Sequence, residues 1–502
     1  MNLSPIQEEI VNISGNLIVR ASAGTGKTHT MVSKIAKEIN ENRTHKVVAA
    51  ITFTIKAAQE IKDRLSVDVT RHFIGTNNSF AIEEIIKPFM KDVYGSDYDM
   101  DMSTDYSKEA KVDTFSEAIE KIKTEGILCS YNDNKKNFIF ELAQEIVEKS
   151  TACRLFLQAK YFKIYIDEYQ DCDKSMHKLF MYLCDTLKIE TFVVGDEKQS
   201  IYIWRGAYPD AFVSIWGKSN FTSKFMGDNF RSCKQIQNYS NLLYDETRNL
   251  YSPTTELNNI MWLSTTSTAW ASEALKYIDP NKKSALLRFS NDNARLGAGE
   301  LSANGVDYTY IPQTPIAEIT TDTAWLYSAI AKYLIIEKYS AYDLISEIPV
   351  EENETRKIVS TIKKMLKKVE QSVDDENNFY LAVNDLAIYL GYATKNEHLK
   401  KLFKTVIDKR YHVAFEPGKY NHISITFHSS KGLEFEQVIV FAEDYCLSDV
   451  SSLCNHYVAV TRAKSKLIIV KQDNNKANCF QVNLKKIFAK SGVKINDVLV
   501  QI

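Results

Sequence analysis

The sequence predicts an α/β protein built on parallel sheet and divided into several units. Three observations predict it. Continuous apolar runs occur at Leu17–Val19, Val47–Phe53, Tyr161–Ile166 and Thr191–Val194, the first two leading toward helical patterns and the last two into polar loops. Short runs of this kind suit strands buried on both faces. The stretch Ala21–Thr28, ASAGTGKT, joins the first run to a helix-period pattern carried by Met31, Ile35 and Ile39. That is the order strand, glycine-containing turn, helix. The chain's 502 residues exceed what one core organises, so about three or four units are expected.

Composition narrows the class. Hydrophobic residues make up 44% and charged residues 25%, as in a globular domain that is neither fibrous nor disordered. Formal net charge is −2, so any nucleic-acid surface must be local. The N-terminus, MNLSPIQEEI, has neither a basic nor an apolar segment of the secretory kind. No apolar run approaches membrane-span length, so no membrane partner is expected. The 8 cysteines form no C-x-x-C pair. This argues against a zinc site and a disulfide framework and for reduced thiols in the cytoplasm.

Each element follows in order. Pro5-Ile6-Gln7 opens the chain just before the first strand, and an amide there is within reach of an adenine, whose N6 and N7 it can pair. ASAGTGKT fits G-x-x-x-x-G-K-[ST] with Ala21 at the first position. Ser22, Ala23, Gly24, Thr25 and Gly26 would wrap backbone N–H groups around phosphate oxygens. Lys27 would reach the β- and γ-phosphates, and Thr28 would hold Mg²⁺. Lys56-Ala57-Ala58 starts a helix after the second run, and Phe73–Phe80, FIGTNNSF, reads as strand, loop and helix. Both loops fall where ligands bind at the carboxyl edge of a parallel sheet. From about residue 81 to 160 the pattern is helical and reads as an insertion.

Tyr161–Ile166 runs directly into Asp167-Glu168-Tyr169-Gln170-Asp171. Adjacent acids at a buried strand end are costly unless they bind something. Asp167 would help hold Mg²⁺, and Glu168 would orient and deprotonate an attacking water. After the fourth run comes GDEKQSIYIWRGA. Gln199 there is placed to sense a γ-phosphate, and Tyr202, Trp204 and Arg205 form an aromatic-cation cluster. Aromatic faces stack bases without reading sequence, at ~1–3 kcal/mol per base, and arginine binds phosphate.

These segments resemble the UvrD/Rep/PcrA branch of superfamily 1 DNA helicases, whose acidic strand end is followed by G-D-x-x-Q-S-I-Y-x-[FW]-R-G-A. Further matches are Asn229-Phe230-Arg231-Ser232 (N-[YF]-R-S), Thr426–Phe435 (TFHSSKGLEF, around H-x-x-K-G-L-E-[FW]) and Tyr457–Ala463 (YVAVTRA). Thr52–Ala58 departs from T-F-T-N-K-A-A by an isoleucine. Gly75–Phe80 departs from G-T-x-H-S-F at Asn78, which puts one DNA contact in doubt. His29 stands where relatives often have arginine, which puts a nucleotide contact in doubt.

The resemblance implies two RecA-like parallel-sheet lobes, each interrupted by a mainly helical insertion. The first lobe is expected over residues 1–80 and 160–215 with insertion 81–159, the second over 216–311 and 419–502 with a shortened insertion 312–418. It implies ATP and Mg²⁺ as nucleotide and metal. Gln7 would contact adenine, Phe230 would stack on it and Glu434 would contact the ribose. Arg231 and Arg462 would reach the γ-phosphate. Phe53, Thr76, Tyr202, Trp204, Arg205 and His428 would line a single-strand path. The implied activity is ATP-driven 3′→5′ translocation on single-stranded DNA with unwinding of duplex DNA. A second reading is a DNA-sensing ATPase subunit with little unwinding of its own. The size and the shortened insertion are similar to the helicase-like subunit of the Gabija anti-phage system, which works with a TOPRIM-bearing ATPase-nuclease. Two basic helical stretches lie in the second insertion, Lys363/Lys364/Lys367/Lys368 and Lys400/Lys401/Lys404/Lys409/Arg410. They would touch duplex phosphates or form a solvated helix face.

Overall fold

The structure is a computed structural model that describes residues 3–98, 100–203, 206–319, 321, 323–348 and 356–502. Two parallel sheets dominate it. The first is built from β1 (Leu17–Ala21), β2 (Val47–Thr52), β3 (Phe73–Thr76), β6 (Tyr161–Ile166), β7 (Glu190–Gly195) and β8 (Thr222–Met226), in the order β3-β2-β6-β7-β1-β8. The short β4 (Ser103–Thr104) and β5 (Ile127–Leu128) pair with each other inside the first insertion. The second sheet is built from β9 (Ile260–Thr265), β10 (Ser284–Arg288), β11 (Thr309–Tyr310), β12 (His422–Thr426), β13 (Phe435–Phe441), β14 (Ala463–Gln472) and β15 (Val500–Gln501), in the order β11-β12-β10-β13-β14-β9-β15.

Local sequence explains the strand–helix junctions. β2 is buried at every position, as expected of a central parallel strand covered on both faces. Thr54 ends the turn after it by accepting a hydrogen bond from the Ala57 N–H, capping the helix Ile55–Arg64. Thr76 caps the helix Asn77–Ala81 in the same way, so FIGTNNSF passes from strand to helix with no intervening loop. The helix Lys27–Glu41 begins from Gly26 at φ 80°, a left-handed conformation that a side chain would strain.

The order of strands in the first sheet positions the site. β7 lies between β1 and β6. Its carboxyl end therefore delivers Asp196–Gln199 between the ASAGTGKT turn and the acidic segment.

The expected boundary at residue 216 is corrected by β8. Thr222–Met226 pairs along β1 from Leu17↔Thr222 to Ala21↔Met226, so the chain leaves the first sheet only after Met226. A β-rich segment just past the last first-lobe motif has two sheets it can join, and sequence pattern does not say which. In the second sheet the edge strand β11 is confined to Thr309 and Tyr310.

The two insertions differ in how they are held. Ile85, Met90, Phe140 and Ile146 of the first pack in one cluster with Ile18, Ile51 and Ile164 of the sheet. The cluster of the second, around Leu326, Leu366, Phe379 and Leu402, contains no sheet residue. Lys395 of the second insertion forms an ion pair with Asp105 of the first. The basic helix Arg356–Gln371 buries Ile362, Leu366 and Val369, leaving its lysines on the opposite stripe, where Lys363 sits 3.5 Å over the Tyr342 ring and Lys368 pairs with Asp385 at 2.7 Å. In the other basic stretch Lys401 pairs with Glu397 at 3.0 Å and Glu318 at 3.3 Å.

The expectation of reduced cysteines throughout is corrected at one pair. Cys446 and Cys479 are joined by a disulfide, with Cα atoms 5.5 Å apart. Their separation of 33 residues carries no sequence signal; the helix Asn475–Ala489 folds back on the turn Ala442–Asp444 and brings them together. No helix among the described residues is long and apolar enough to cross a membrane.

Candidate active site

The carboxyl ends of β1, β6 and β7 face the Asn229–Ser232 segment, the Lys431–Glu434 turn and the carboxyl end of the helix Val450–Val460. Gly24 and Gly26 hold φ of 77° and 80°. A Cβ on Gly24 would stand 2.4 Å from Asn229 Oδ1, and one on Gly26 would stand 2.7 Å from Gln7 Nε2. Both glycines are therefore required by φ, and Gly24 also by the approach of the Asn229 side chain and the Arg231 Cβ. The Phe230 N–H donates to the Gly24 carbonyl at 2.9 Å, while the Phe230 ring is 63% exposed beside the turn, free to take a flat ligand.

Gln7 is buried and already employed. Its Oε1 accepts from the Ser4 N–H at 2.8 Å in a capping box, and its Nε2 donates to the Thr25 carbonyl at 3.0 Å. It links the first helix to the phosphate turn, and in this state its amide faces the protein.

The acids at the end of β6 sit among cations from both lobes. Lys27 Nζ lies 2.8 Å from Glu168 Oε1. Lys431, from the HSSKGLEF segment, lies 3.4 Å from Glu168 and 2.5 Å from Asp171, and its ammonium stands 5.1 Å from the Tyr202 ring centre. Gln170 donates to Glu168 Oε2 at 2.6 Å. Glu168 adopts φ 51° and ψ 37°, a left-handed conformation that costs a non-glycine residue on the order of 1–3 kcal/mol. Burial acts to raise its carboxyl, but the Lys27 and Lys431 ammoniums outweigh that and hold it well below the usual range. Asp167 behaves oppositely. Burial, with Glu168 alongside, pushes it up to about 6.

That rise makes a test. The folded Asp167 binds its proton more tightly than the unfolded chain does. The resulting penalty is therefore absent below about pH 4, grows as pH rises and is complete above about pH 6, where it amounts to ~3 kcal/mol. Asp167→Asn should raise the melting temperature of nucleotide-free protein by a few degrees at pH 7.5, with the gain shrinking toward pH 4.5. Differential scanning fluorimetry at the two pH values checks this, and equal shifts at both would refute it.

The residues fit a magnesium–nucleotide pair. Mg²⁺ uses one or two carboxylates together with substrate phosphates and needs no all-protein cage. Among the described residues no cluster of three or more His, Cys, Asp or Glu is poised for a metal, while Asp167 is a buried carboxylate lacking full compensation. His29 Nε2 and Arg231 Nε are buried without hydrogen-bond partners, polar groups that suit contact with a phosphate.

The cations expected from the second lobe are present at the cleft, each held by its own lobe. Arg231 pairs with Glu434 at 2.5 Å and donates to the Thr461 carbonyl at 3.3 Å. Arg462 is buried and donates to the carbonyls of Val458 (3.0 Å) and Leu433 (3.3 Å) and to Thr461 Oγ1 (3.2 Å). Desolvation, then the neighbouring Arg231, pulls its guanidinium down to about 10, with Glu168 and Glu434 pulling the other way. Gln199 is buried, and its amide donates to Asp196 Oδ2 at 2.8 Å.

The remaining expected contacts are more dispersed. Phe53 packs half-buried against the first-lobe core, and Thr76 spends its hydroxyl on the helix cap. Tyr202 packs against the second-lobe core. His428 stacks with Phe427 at 3.9 Å and meets Phe289 edge-on at 6.0 Å. Trp204 and Arg205 lie outside the described residues.

Three participants were missed by reading the sequence. Tyr457 of the second lobe accepts a hydrogen bond from the Ala23 N–H of the phosphate turn at 3.2 Å. Lys431 crosses the cleft as described. Phe289, at the end of β10, is 51% exposed beside His428; an aromatic residue at a carboxyl strand end was the available signal.

The AAA domain family matches residues 7–205, and the UvrD-like helicase C-terminal domain family matches residues 423–470. The ATP-dependent DNA helicase PcrA of Bacillus subtilis (strain 168) is 26% identical over 306 residues, covering 48% of this chain and 39% of that protein. The probable DNA helicase II homolog of Mycoplasma capricolum is 30% identical over 285 residues, covering 46% and 39%. The Gabija protein GajB of Bacillus cereus (strain VD045) is 38% identical over 501 residues, covering 97% of this chain and 99% of that one. With both lobes matched and GajB aligned end to end, the chain belongs to the GajB family of UvrD-like helicase proteins.

Proposed function

We propose that the protein is an ATP-driven translocase on single-stranded DNA, moving 3′→5′ and separating strands ahead of it. The observation that carries the reading is the cross-cleft cation set: Lys431 reaches Asp171 and Glu168, while Arg231 and Arg462 are fixed beside them on the second lobe. In this reading Lys27 leaves Glu168 for the β- and γ-phosphates, and Glu168 takes the proton of the attacking water. Thr28 and Asp167 would hold Mg²⁺, which when bound would supply charge neutralisation to the transferred phosphoryl group. Arg231 and Arg462 complete the site only when the lobes close. Closure moves Phe53, on the first lobe, relative to Tyr202 and His428, which pack with the second, and this shifts a stacked strand.

The test is phosphate release with and without oligothymidine, followed by displacement of a duplex strand bearing a 3′ or a 5′ tail. Stimulation of about tenfold, ~1.4 kcal/mol of barrier, and displacement of the 3′-tailed duplex are expected. Equal hydrolysis with and without the oligonucleotide overturns the motor reading.

A second reading is favoured by the end-to-end likeness to GajB. Here the chain is a cytoplasmic DNA-sensing ATPase of an anti-phage system, working with a TOPRIM-bearing ATPase-nuclease. Strong stimulation without displacement, together with co-purification of such a nuclease, would select it.

A further inference from the structure

A cavity of about 190 Å³ lies between the helix Asn77–Ala81 and the first insertion, apart from the nucleotide cleft. Phe138 and Tyr131 form its buried wall, Asn78 and Tyr106 are half-buried within it, and Asn134 and Lys136 form an exposed rim. Its volume equals about six waters at ~30 Å³ each, the scale of a heterocyclic base.

Its chemistry is that of a nucleotide subsite. The Asn78 side-chain amide makes no hydrogen bond among the described residues, although its backbone N–H is bonded to Asn77 Oδ1. Ser130 Oγ, also in the lining, is buried without a partner. Tyr106 and Tyr131 offer aromatic faces. Cations stand at the rim, with Lys136 5.9 Å from the Tyr131 ring centre and Lys111 donating to Asn134 Oδ1 at 2.9 Å. The rim loop rests on the other strand-path segment, since a Cβ on Gly206 would stand 3.0 Å from Asn134 O and from Lys135 Cα. Asn78 is also the position where the helicase pattern has histidine, and an asparagine is smaller than the imidazole it replaces.

We propose that this cavity receives one nucleobase of the bound single strand and prefers adenine. A side-chain amide offers a donor and an acceptor side by side, which match adenine N7 and N6–H₂. The rim cations take the flanking phosphates. The proposal rests on the reading that single-stranded DNA passes Thr76 and Gly206. It adds base preference to a motor whose stacking contacts are indifferent to sequence.

The test is fluorescence anisotropy of the full chain without ATP, using labelled oligothymidine and the same oligonucleotide with one central deoxyadenosine. The adenine-bearing strand should bind about fivefold tighter or more, the lower end for one good bidentate pair. Placing 7-deazaadenine at that position should remove the advantage in the unaltered protein. Asn78→Ala, with its fold checked by circular dichroism melting, should bind both oligonucleotides alike. Free deoxyadenosine monophosphate should leave the preference intact. If it erases the preference while oligothymidine binding persists, the site takes a free nucleotide and the strand assignment falls. Equal affinity of the unaltered protein for both oligonucleotides overturns the cavity proposal and leaves the strand reading standing; failure to bind either overturns both.

Discussion

Glu168→Gln should lower the DNA-stimulated hydrolysis rate by about 10²–10⁴-fold, the usual contribution of a general base. The amide keeps the shape of the carboxylate and one of its two acceptor oxygens, so it should hold the strained turn at φ 51° and its contact with Gln170. What it loses is a proton acceptor and a negative charge. The Lys27 ammonium, now 2.8 Å from that charge, would be released toward the phosphates. ATP binding should therefore be unchanged or tighter while turnover collapses. The measurement is kcat and KM for phosphate release at saturating oligothymidine, alongside binding of a fluorescent ATP analogue. A kcat within about threefold of the parent, less than ~0.7 kcal/mol of barrier, would assign the base elsewhere.

The parts of this site that sequence revealed are local in the chain. ASAGTGKT and the acids after β6 each declare themselves within a few residues, because strand, turn and helix signals are short-range. Much of what sequence could not reveal is pairing across the cleft. Glu434 reads as a ribose contact, yet in this state it sits on Arg231, a partner 203 positions away that no local pattern announces. Lys431 and Tyr457 lie inside recognisable segments, but their meeting with Asp171 and Ala23 follows from how two separate sheets dock. Gln7 shows a different difficulty. Its amide suits an adenine, and the same amide suits the N3 position of a capping box; the structure shows the second use. Membership of β8 in the first sheet and the Cys446–Cys479 bridge are further long-range outcomes of topology.

Arg462→Lys should lower kcat by about 10³–10⁵-fold, the range for losing an arginine that stabilises a transferring phosphoryl group, or ~4–7 kcal/mol of barrier. The argument starts from how tightly this side chain is held. Its guanidinium donates from Nε, Nη1 and Nη2 to three fixed acceptors on Val458, Leu433 and Thr461, so its plane is set before any nucleotide arrives. A lysine brings a similar charge but three rotatable donors on a compact head, and cannot match those acceptors while facing the cleft. Pre-oriented charge is what lowers a barrier without reorganisation at the moment of reaction. Because the side chain belongs to the second lobe, its loss should act on closure-dependent chemistry and spare the strand contacts near His428. Single-strand affinity should stay within about threefold, ~0.7 kcal/mol, while stimulated turnover is lost. A parallel fall in strand affinity and in basal and stimulated hydrolysis would mean that Arg462 only supports the helix Val450–Val460. Full turnover in the lysine variant would mean that Arg231 supplies the decisive charge alone.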